Sequence, residues 1–189
     1  MRSTLFITAA ALTMLAGCNQ SDDEALGNSA ARTNQVLPIT DEMVGAASVV
    51  TAALPTQPVA KARAAAFMHE RHEKYKKLGD AMKAVTREIK GDRPDMGVVR
   101  KNAAIINAFA PQIPSLFPPG TGPAAGKTEA KAAIWQKPDD FLAKSTAFTA
   151  AAKAFNGAAQ GTNLATIRAA HGTMGKTCKA CHDLYREEH

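Results

Sequence analysis

From residue 59 to its end, the chain contains four successive stretches in which apolar residues recur at spacings of three and four. This period places the apolar side chains on one face of an α-helix, and no segment shows the alternation that a half-buried strand would need. Four amphipathic helices within about 130 residues predict an all-α fold, an antiparallel up-and-down four-helix bundle. The predicted helices cover about residues 59–90, 95–110, 138–159 and 163–186.

A proline-rich connection separates the second and third predicted helices. The stretch PQIPSLFPPGTGPAAGKT, residues 111–128, contains five of the ten prolines of the chain. It is longer than most helix–helix connections. Its apolar residues Ile113, Leu116 and Phe117 predict that it packs back on the bundle.

The N-terminus has the order of an export signal. An early cation, Arg2, precedes an apolar run and then the sequence LAGC, which ends at Cys18. The run is shorter than the roughly 20 apolar residues that span a bilayer, and LAGC resembles the bacterial lipobox. We therefore expect residues 1–17 to be a lipoprotein signal peptide and Cys18 to carry the lipid anchor. The alternative is an ordinary secretory signal, which would leave the protein soluble in the periplasm.

Residues 18–58 are predicted to be a largely flexible, lipidated tether, with a short helix at about residues 41–53, followed by the bundle domain at 59–189. Asn19 follows the cysteine, so nothing here resembles a signal for retention at the inner membrane. The expected location is the bacterial periplasm, on a lipid anchor in the outer membrane.

The net charge of +6 is distributed over mixed segments such as HERHEKYKK and KGDRPD. Interleaved charges are typical of a solvated helical surface, so we expect no nucleic-acid partner. A basic face could still attract an acidic partner protein.

The last predicted helix carries the sequence CKACH at residues 178–182. A thiol redox pair is disfavoured, because the cysteines lie far from the helix N-terminus that would lower a thiol pKa, and no βαβ pattern surrounds them. A zinc site is disfavoured as well, because the motif supplies three ligands at most and no second cluster stands elsewhere.

Covalent haem attachment needs the residues that are present. Two thiols can add to two vinyl groups, and the histidine that follows can bind the iron. Cys178 and His182 are four residues apart and share a helix face, with Cys181 beside them. The sequence therefore predicts one haem c, held by thioethers to Cys178 and Cys181, with His182 as the iron ligand. The alternative is a haem-free structural lipoprotein in which CKACH is a coincidence.

The ending CKACHDLYR on the last helix of a bundle resembles the cytochrome c′ (c-prime) family of bacterial periplasmic haem proteins. The resemblance covers about residues 68–186. It is also carried by Ala133-Ile134-Trp135 followed by Phe141, by PGTG at 119–122, and by Lys101-Asn102. It implies a four-helix bundle with covalently bound haem. Members of this family are often homodimers formed through the first two helices, so the resemblance also implies a homodimer as an option for this chain.

The resemblance also implies the roles of two residues on the first helix. In this family an arginine is followed, four residues later, by the side chain over the open face of the iron, and Arg71 and Tyr75 have that spacing. Methionine at the second position goes with a six-coordinate, low-spin electron carrier, which remains an alternative. A bulky non-ligating residue such as Tyr75 goes with five-coordinate iron that binds nitric oxide or a similar diatomic gas.

The remaining expectations concern the surroundings of the haem. A buried Arg71 would need an anionic partner, which a haem propionate could provide, and Lys179 and Arg186 would flank the haem edge. His171 lies too far from His182 along the helix to bind the same iron, so it is expected in the core or at its rim. No general acid–base pair or substrate cleft is visible, so we expect a gas-binding protein or one-electron carrier with a redox partner rather than an enzyme.

Overall fold

The computed structural model describes residues 53–188. The predicted signal peptide, Cys18, most of the tether and all but the last residue of the short helix expected at 41–53 lie outside this range. Its helices are α1 (Lys61–Lys90), α2 (Met96–Phe109), α3 (Ala133–Gln136), α4 (Pro138–Ala159) and α5 (Leu164–Tyr185). Helix α1 packs on α2, α2 on α4, and α4 on α5, which gives the predicted antiparallel four-helix bundle.

Capping residues explain where the long helices begin. The Asp95 carboxylate accepts hydrogen bonds from the backbone N–H groups of Gly97 and Val98 at the start of α2, and the Asn163 side chain accepts one from Thr166 at the start of α5. Helix α4 begins at Pro138, and Asp139 and Asp140 occupy its first turn. Proline and acidic residues suit this position, because the first turn has free N–H groups and a positive dipole end.

The apolar stripes of the four long helices meet in one core. Its fully buried large side chains include Val85, Ile106, Phe155 and Ile167, one from each helix. Small residues lie between them, and Ala103, Ala152 and Ala159 are fully buried. These alanines allow the helix backbones to approach closely.

The proline-rich connection packs back on the bundle, as predicted. It forms short 3₁₀ turns, and Ile113, Leu116 and Phe117 are buried. It also contacts the chain that enters α1, because the Val59 N–H donates to the Pro119 carbonyl at 2.9 Å. Just before this bond, Leu54 packs against the core, so contacts with the domain begin within the segment predicted as a tether.

Two features of the fold were not predicted from the sequence. One is the single turn α3; the other is an isolated antiparallel bridge between Ala130 and Arg186. The Lys131 N–H donates to the Tyr185 carbonyl at 3.0 Å, and the Glu187 N–H donates to the Glu129 carbonyl at 2.8 Å. These bonds attach the end of α5 to the segment before α3. Among residues 53–188, no helix has the length and apolar character needed to cross a membrane.

Candidate functional site

The CKACH residues occupy the last two turns of α5. Cys178 and Cys181 are half-buried free thiols that pack against the core, whereas the His182 side chain is exposed. The helix places the two sulfurs about one turn apart on its inward side. The structure thus places the two predicted attachment residues together on the inward side of α5, with the His182 imidazole next to them in sequence.

Burial of the two thiols opposes thiolate chemistry. Burial raises the pKa of Cys178, and burial together with the Cys178 thiol raises the pKa of Cys181 to about 11. Because the thiolate is the reactive form in disulfide exchange, both groups are poor redox thiols. In the part of the chain that the structure describes, no three His, Cys, Asp or Glu side chains are grouped to hold a metal ion. Both observations disfavour the redox and zinc interpretations of the motif.

Tyr75 faces the same interior region from α1. Its ring packs edge-on against Phe109, with centroids 5.3 Å apart, and against Phe117, with centroids 6.1 Å apart. Burial raises the pKa of the Tyr75 hydroxyl well above its usual value, and the thiols of Cys181 and Cys178 add to the rise, while Arg71 lowers it. Tyr75, Cys178 and Cys181 all pack against the same hydrophobic core.

Arg71 is buried one turn before Tyr75, and its guanidinium is held by neutral oxygens. Nη1 donates to the Leu116 carbonyl and to Thr121 Oγ1; Nη2 donates to the Thr121 carbonyl at 2.9 Å and to Thr128 Oγ1 at 2.8 Å. The cation also stacks over the Phe117 ring at 4.7 Å. The expected anionic partner is not among these contacts, and burial lowers the pKa of Arg71. No pattern in the sequence indicates this clamp, in which Arg71 holds the proline-rich connection through hydrogen bonds.

Tyr185 makes a specific polar contact that the sequence does not predict. It is 4% exposed, and its hydroxyl donates to Asp140 Oδ2 at 2.5 Å. Its ring packs edge-on against Phe141 at 5.3 Å, and Phe141 packs against Phe117 at 5.0 Å. A row of aromatic rings therefore runs from Tyr185 to Tyr75. No period in the sequence joins Tyr185 to Asp140, which lies 45 residues earlier on another helix.

Two further predicted residues, Lys179 and Arg186, lie on the surface beside the motif and are ion-paired. Lys179 Nζ is 2.8 Å from an Asp183 carboxylate oxygen, and Arg186 Nε is 3.1 Å from Glu129 Oε2. Exposed pairs of this kind contribute little stability. Lys179 directly follows Cys178, and Arg186 directly follows the last residue of α5; their role at the haem edge stays a prediction.

His171 lies at the rim of the core, as expected. Its Nε2 is 3.3 Å from Thr86 Oγ1, and its ring packs edge-on against Phe155 at 5.6 Å. Because the Thr86 hydroxyl already donates to the Met82 carbonyl, it accepts a hydrogen bond from Nε2–H. Burial lowers the pKa of His171.

A family model described as Cytochrome C′ matches residues 66–186, well over half of the chain. The chain belongs to the cytochrome c′ family. It is 39% identical to cytochrome c′ of Pararhodospirillum photometricum over 122 residues, which cover 65% of this chain and 97% of that protein.

Solved structures agree with this assignment. Cytochrome c′ from Shewanella frigidimarina is 31% identical, with a TM-score of 0.60 over 66% of this chain and 97% of that one. A nitric oxide complex of a variant of Alcaligenes xylosoxidans cytochrome c′ is 26% identical, with a TM-score of 0.58 over 70% and 100% of the two chains.

The cytochrome c′ family binds one covalent c-type haem, and the chemistry of this chain fits that group. Two free thiols lie one helical turn apart, an imidazole follows the second, and both thiols pack against the hydrophobic core that contains Phe117 and contacts Tyr75. This donor set matches two thioether bonds and one nitrogen ligand to iron.

Proposed function

We propose that this cytochrome c′ has five-coordinate haem iron that binds nitric oxide or a similar diatomic gas and can also carry single electrons. Cys178 and Cys181 would hold the haem through thioethers, and His182 would be its protein ligand. A bound haem would supply an iron that can take a diatomic gas as a further ligand. The observation that carries the proposal is Tyr75, a bulky side chain that does not readily ligate, which packs against the same hydrophobic core as Cys178 and Cys181.

The surroundings of Tyr75 support an open position rather than a ligand. Because burial raises the pKa of its hydroxyl, the phenol stays protonated at neutral pH and is a poor iron ligand. The hydroxyl makes no hydrogen bond to another part of residues 53–188, so it is available to donate to a gas molecule bound beside it. The rings of Phe109 and Phe117 flank it and restrict the space to small ligands.

Neither of the two methionines of α1 is an obvious sixth ligand. Met68 and Met82 are each seven residues from Tyr75, which corresponds to roughly 10 Å along the helix. The Met68 side chain is buried, and its terminal carbon lies beside Gly126 of the proline-rich connection. The nitric oxide complex of the Alcaligenes xylosoxidans relative makes nitric oxide the first gas to test.

Arg71, Lys179 and Arg186 are proposed to act at the edges of the haem. The four hydrogen bonds of Arg71 use Nη1 and Nη2, and Nε makes none within residues 53–188, so this N–H could still donate to a propionate. Lys179 and Arg186 would border the exposed haem edge, where a redox partner protein could approach. A homodimer through α1 and α2 would cover Ile105, which is 41% exposed.

We also propose that the protein faces the periplasm on a lipid anchor at Cys18, in the outer membrane. The support is the LAGC sequence and the fact that c-type haem is attached outside the cytoplasm, so the chain must be exported first. Mass spectrometry of the mature N-terminus tests this: an acylated Cys18 is expected, and a mature chain that begins at another residue would instead mean a soluble periplasmic protein.

The decisive experiment is the optical and electron paramagnetic resonance spectrum of the purified protein in ferric, ferrous and nitric-oxide-treated forms. A high-spin ferric spectrum and a ferrous nitrosyl signal are expected. A low-spin spectrum with a methionine–iron charge-transfer band would instead establish the six-coordinate electron carrier. Absence of covalent haem after denaturing electrophoresis, from cells competent in c-type maturation, would establish the haem-free lipoprotein.

A further inference from the structure

The contact between Tyr185 and Asp140 has the features of a proton-coupled redox pair. The phenol is buried, and its hydroxyl donates to Asp140 Oδ2 at 2.5 Å, a short, charge-assisted hydrogen bond. The Asp140 side chain is 47% exposed, and Lys144 Nζ lies 4.0 Å from its other oxygen. A proton that reached Asp140 could therefore pass to water, whereas the phenol itself is shielded from water.

Tyr185 also lies close to the proposed haem attachment. It follows Cys181 by four residues on α5, a rise of about 6 Å, so both side chains share a helix face. Tyr185 belongs to the hydrophobic core against which Cys181 packs, and burial and Asp140 raise the pKa of the Tyr185 hydroxyl. The phenol is thus protonated at neutral pH and adjacent to the group that would carry electrons.

We propose that Tyr185 and Asp140 form a second redox site. After a hydroperoxide has oxidised the haem, Tyr185 gives one electron to the haem and Asp140 accepts the phenolic proton. The inference rests on the proposed haem attachment at Cys178 and Cys181. It adds a peroxide-driven one-electron reaction to the gas binding described above. Because an oxidised phenol is a far stronger acid than a carboxylic acid, even a carboxylate in the first turn of a helix takes its proton.

The step balances with hydrogen peroxide as the oxidant. As its O–O bond breaks, the peroxide takes up two electrons, of which the haem would supply one and Tyr185 the second. One peroxide oxygen would leave as water with both peroxide protons, and the haem would hold the other. The O–H bond of Tyr185 breaks, its proton moves to Asp140 Oδ2, and a neutral phenoxyl radical remains.

The aromatic row offers a competing location for this radical. Phe141 and Phe117 lie between Tyr185 and Tyr75, and the Trp135 ring packs against Phe117 at 6.2 Å. Tyr75 has no hydrogen-bonded base within residues 53–188, and Trp135 Nε1 donates to the Phe117 carbonyl, which is a weak base. Only Tyr185 combines an oxidisable ring with a carboxylate, so the radical should settle there.

The chain has only two tyrosines, Tyr75 and Tyr185, so the radical can be assigned cleanly. The ferric holoprotein is mixed with hydrogen peroxide, frozen within seconds and examined by electron paramagnetic resonance, with and without ring-deuterated tyrosine. We expect a phenoxyl signal whose hyperfine structure changes on deuteration. It should fall to background in Tyr185→Phe and persist in Tyr75→Phe, with yields normalised to the amount of haem oxidised.

A second pair of variants tests the proton acceptor. Asp140→Asn keeps a side-chain oxygen but removes the base, so the radical yield should fall several-fold and the solvent deuterium isotope effect should change. Asp139→Asn is the matched control, since it removes the neighbouring charge in the same helical turn and should leave the yield unchanged.

The proposal is overturned if peroxide produces no phenoxyl signal, if the signal disappears in Tyr75→Phe but survives in Tyr185→Phe, or if Asp139→Asn and Asp140→Asn behave alike. These failures are distinct from failure of the proposed gas-binding function. Covalent haem and the ferrous nitrosyl spectrum are measured on the same samples, and Tyr185→Phe should retain both.

Discussion

Arg71 and Thr121 are joined by two hydrogen bonds: Nη1 donates to Thr121 Oγ1 at 3.1 Å, and Nη2 donates to the Thr121 carbonyl at 2.9 Å. Both residues are buried. The pair connects the middle of α1 to the proline-rich connection, and the Phe117 ring lies under the same guanidinium. Because Phe117 also packs against Tyr75, the position of the connection and the position of Tyr75 depend on one another.

Replacement of Arg71 by alanine should lower the free energy of unfolding by about 3 kcal/mol, since it leaves the buried oxygens of Leu116 and Thr121 with fewer donors. Arg71→Lys should cost less, because it keeps a cation but not the planar arrangement of donors. Denaturation in guanidinium chloride measures both. Arg63→Ala, at an exposed position of the same helix, should change stability by less than about 0.5 kcal/mol. Equal effects at positions 63 and 71 would contradict the clamp.

Tyr75→Met should convert the ferric iron to a six-coordinate, low-spin form with a methionine–iron charge-transfer band, because a thioether would then face the open coordination position. Nitric oxide should bind more slowly, as it must displace the sulfur. The control Tyr75→Phe keeps the ring and should remain high-spin. If Tyr75→Met has an unchanged ferric spectrum and unchanged nitric oxide binding, Tyr75 does not lie over the iron.

His171 should make the folded protein less stable in mild acid. Burial lowers its pKa in the folded protein, whereas the unfolded chain has the ordinary value of about 6.5. As the pH falls through about 6.5, the unfolded chain binds a proton that the folded protein does not, so stability decreases until the lowered pKa is passed.

This effect is measured by comparing unfolding free energies at about pH 7.5 and about pH 5, on either side of the ordinary histidine pKa. His171→Gln should lose less stability between the two than the unaltered protein. His72→Gln, at an exposed position on α1, should behave like the unaltered protein. A loss on acidification that is the same in all three proteins would exclude His171 as its source.

Two glycine substitutions should have opposite effects. At Gly172, within α5, an added Cβ would meet nothing within 4 Å, so Gly172→Ala should stabilise the protein by about 1 kcal/mol through helix propensity. At Gly122 the Cβ would lie 2.8 Å from the Trp135 ring, so Gly122→Ala should destabilise it by about 1–3 kcal/mol. Thermal unfolding measures both changes, and Trp135 fluorescence should shift only in Gly122→Ala.

The long helices could be predicted from the sequence because their signals are local. A period of three and four identifies each buried stripe, and Asp95, Asn163 and Pro138 mark helix starts through bonds within a few residues. CKACH could be interpreted for the same reason, since its spacing on one helix already determines which side chains share a face. The burial of Ile113, Leu116 and Phe117 followed from their apolar character in an otherwise irregular segment.

The rest of the site depends on residues that are far apart in sequence. Arg71 was expected to need an anion, but the proline-rich connection brings it four neutral oxygens from positions 45 to 57 residues away. The bond from Tyr185 to Asp140 and the bridge from Ala130 to Arg186 likewise form only after the helices have packed. No spacing rule applies over such separations, so these contacts could not be predicted from one sequence.

The hydrogen bond from the Val59 N–H to the Pro119 carbonyl also indicates where the N-terminal boundary of the folded domain lies. A fragment needs Val59 to form this bond and keep the site intact. The match to the family model begins only at residue 66. The two segments nevertheless fit tightly at Gly120, which has φ +82°, because a Cβ added there would lie 3.0 Å from the Val59 carbonyl oxygen. A shortened protein that starts at residue 66 would lose this support beneath Leu116, Phe117 and Thr121. One that starts at residue 53 would keep it, so the physical limit of the domain precedes the limit of its family resemblance.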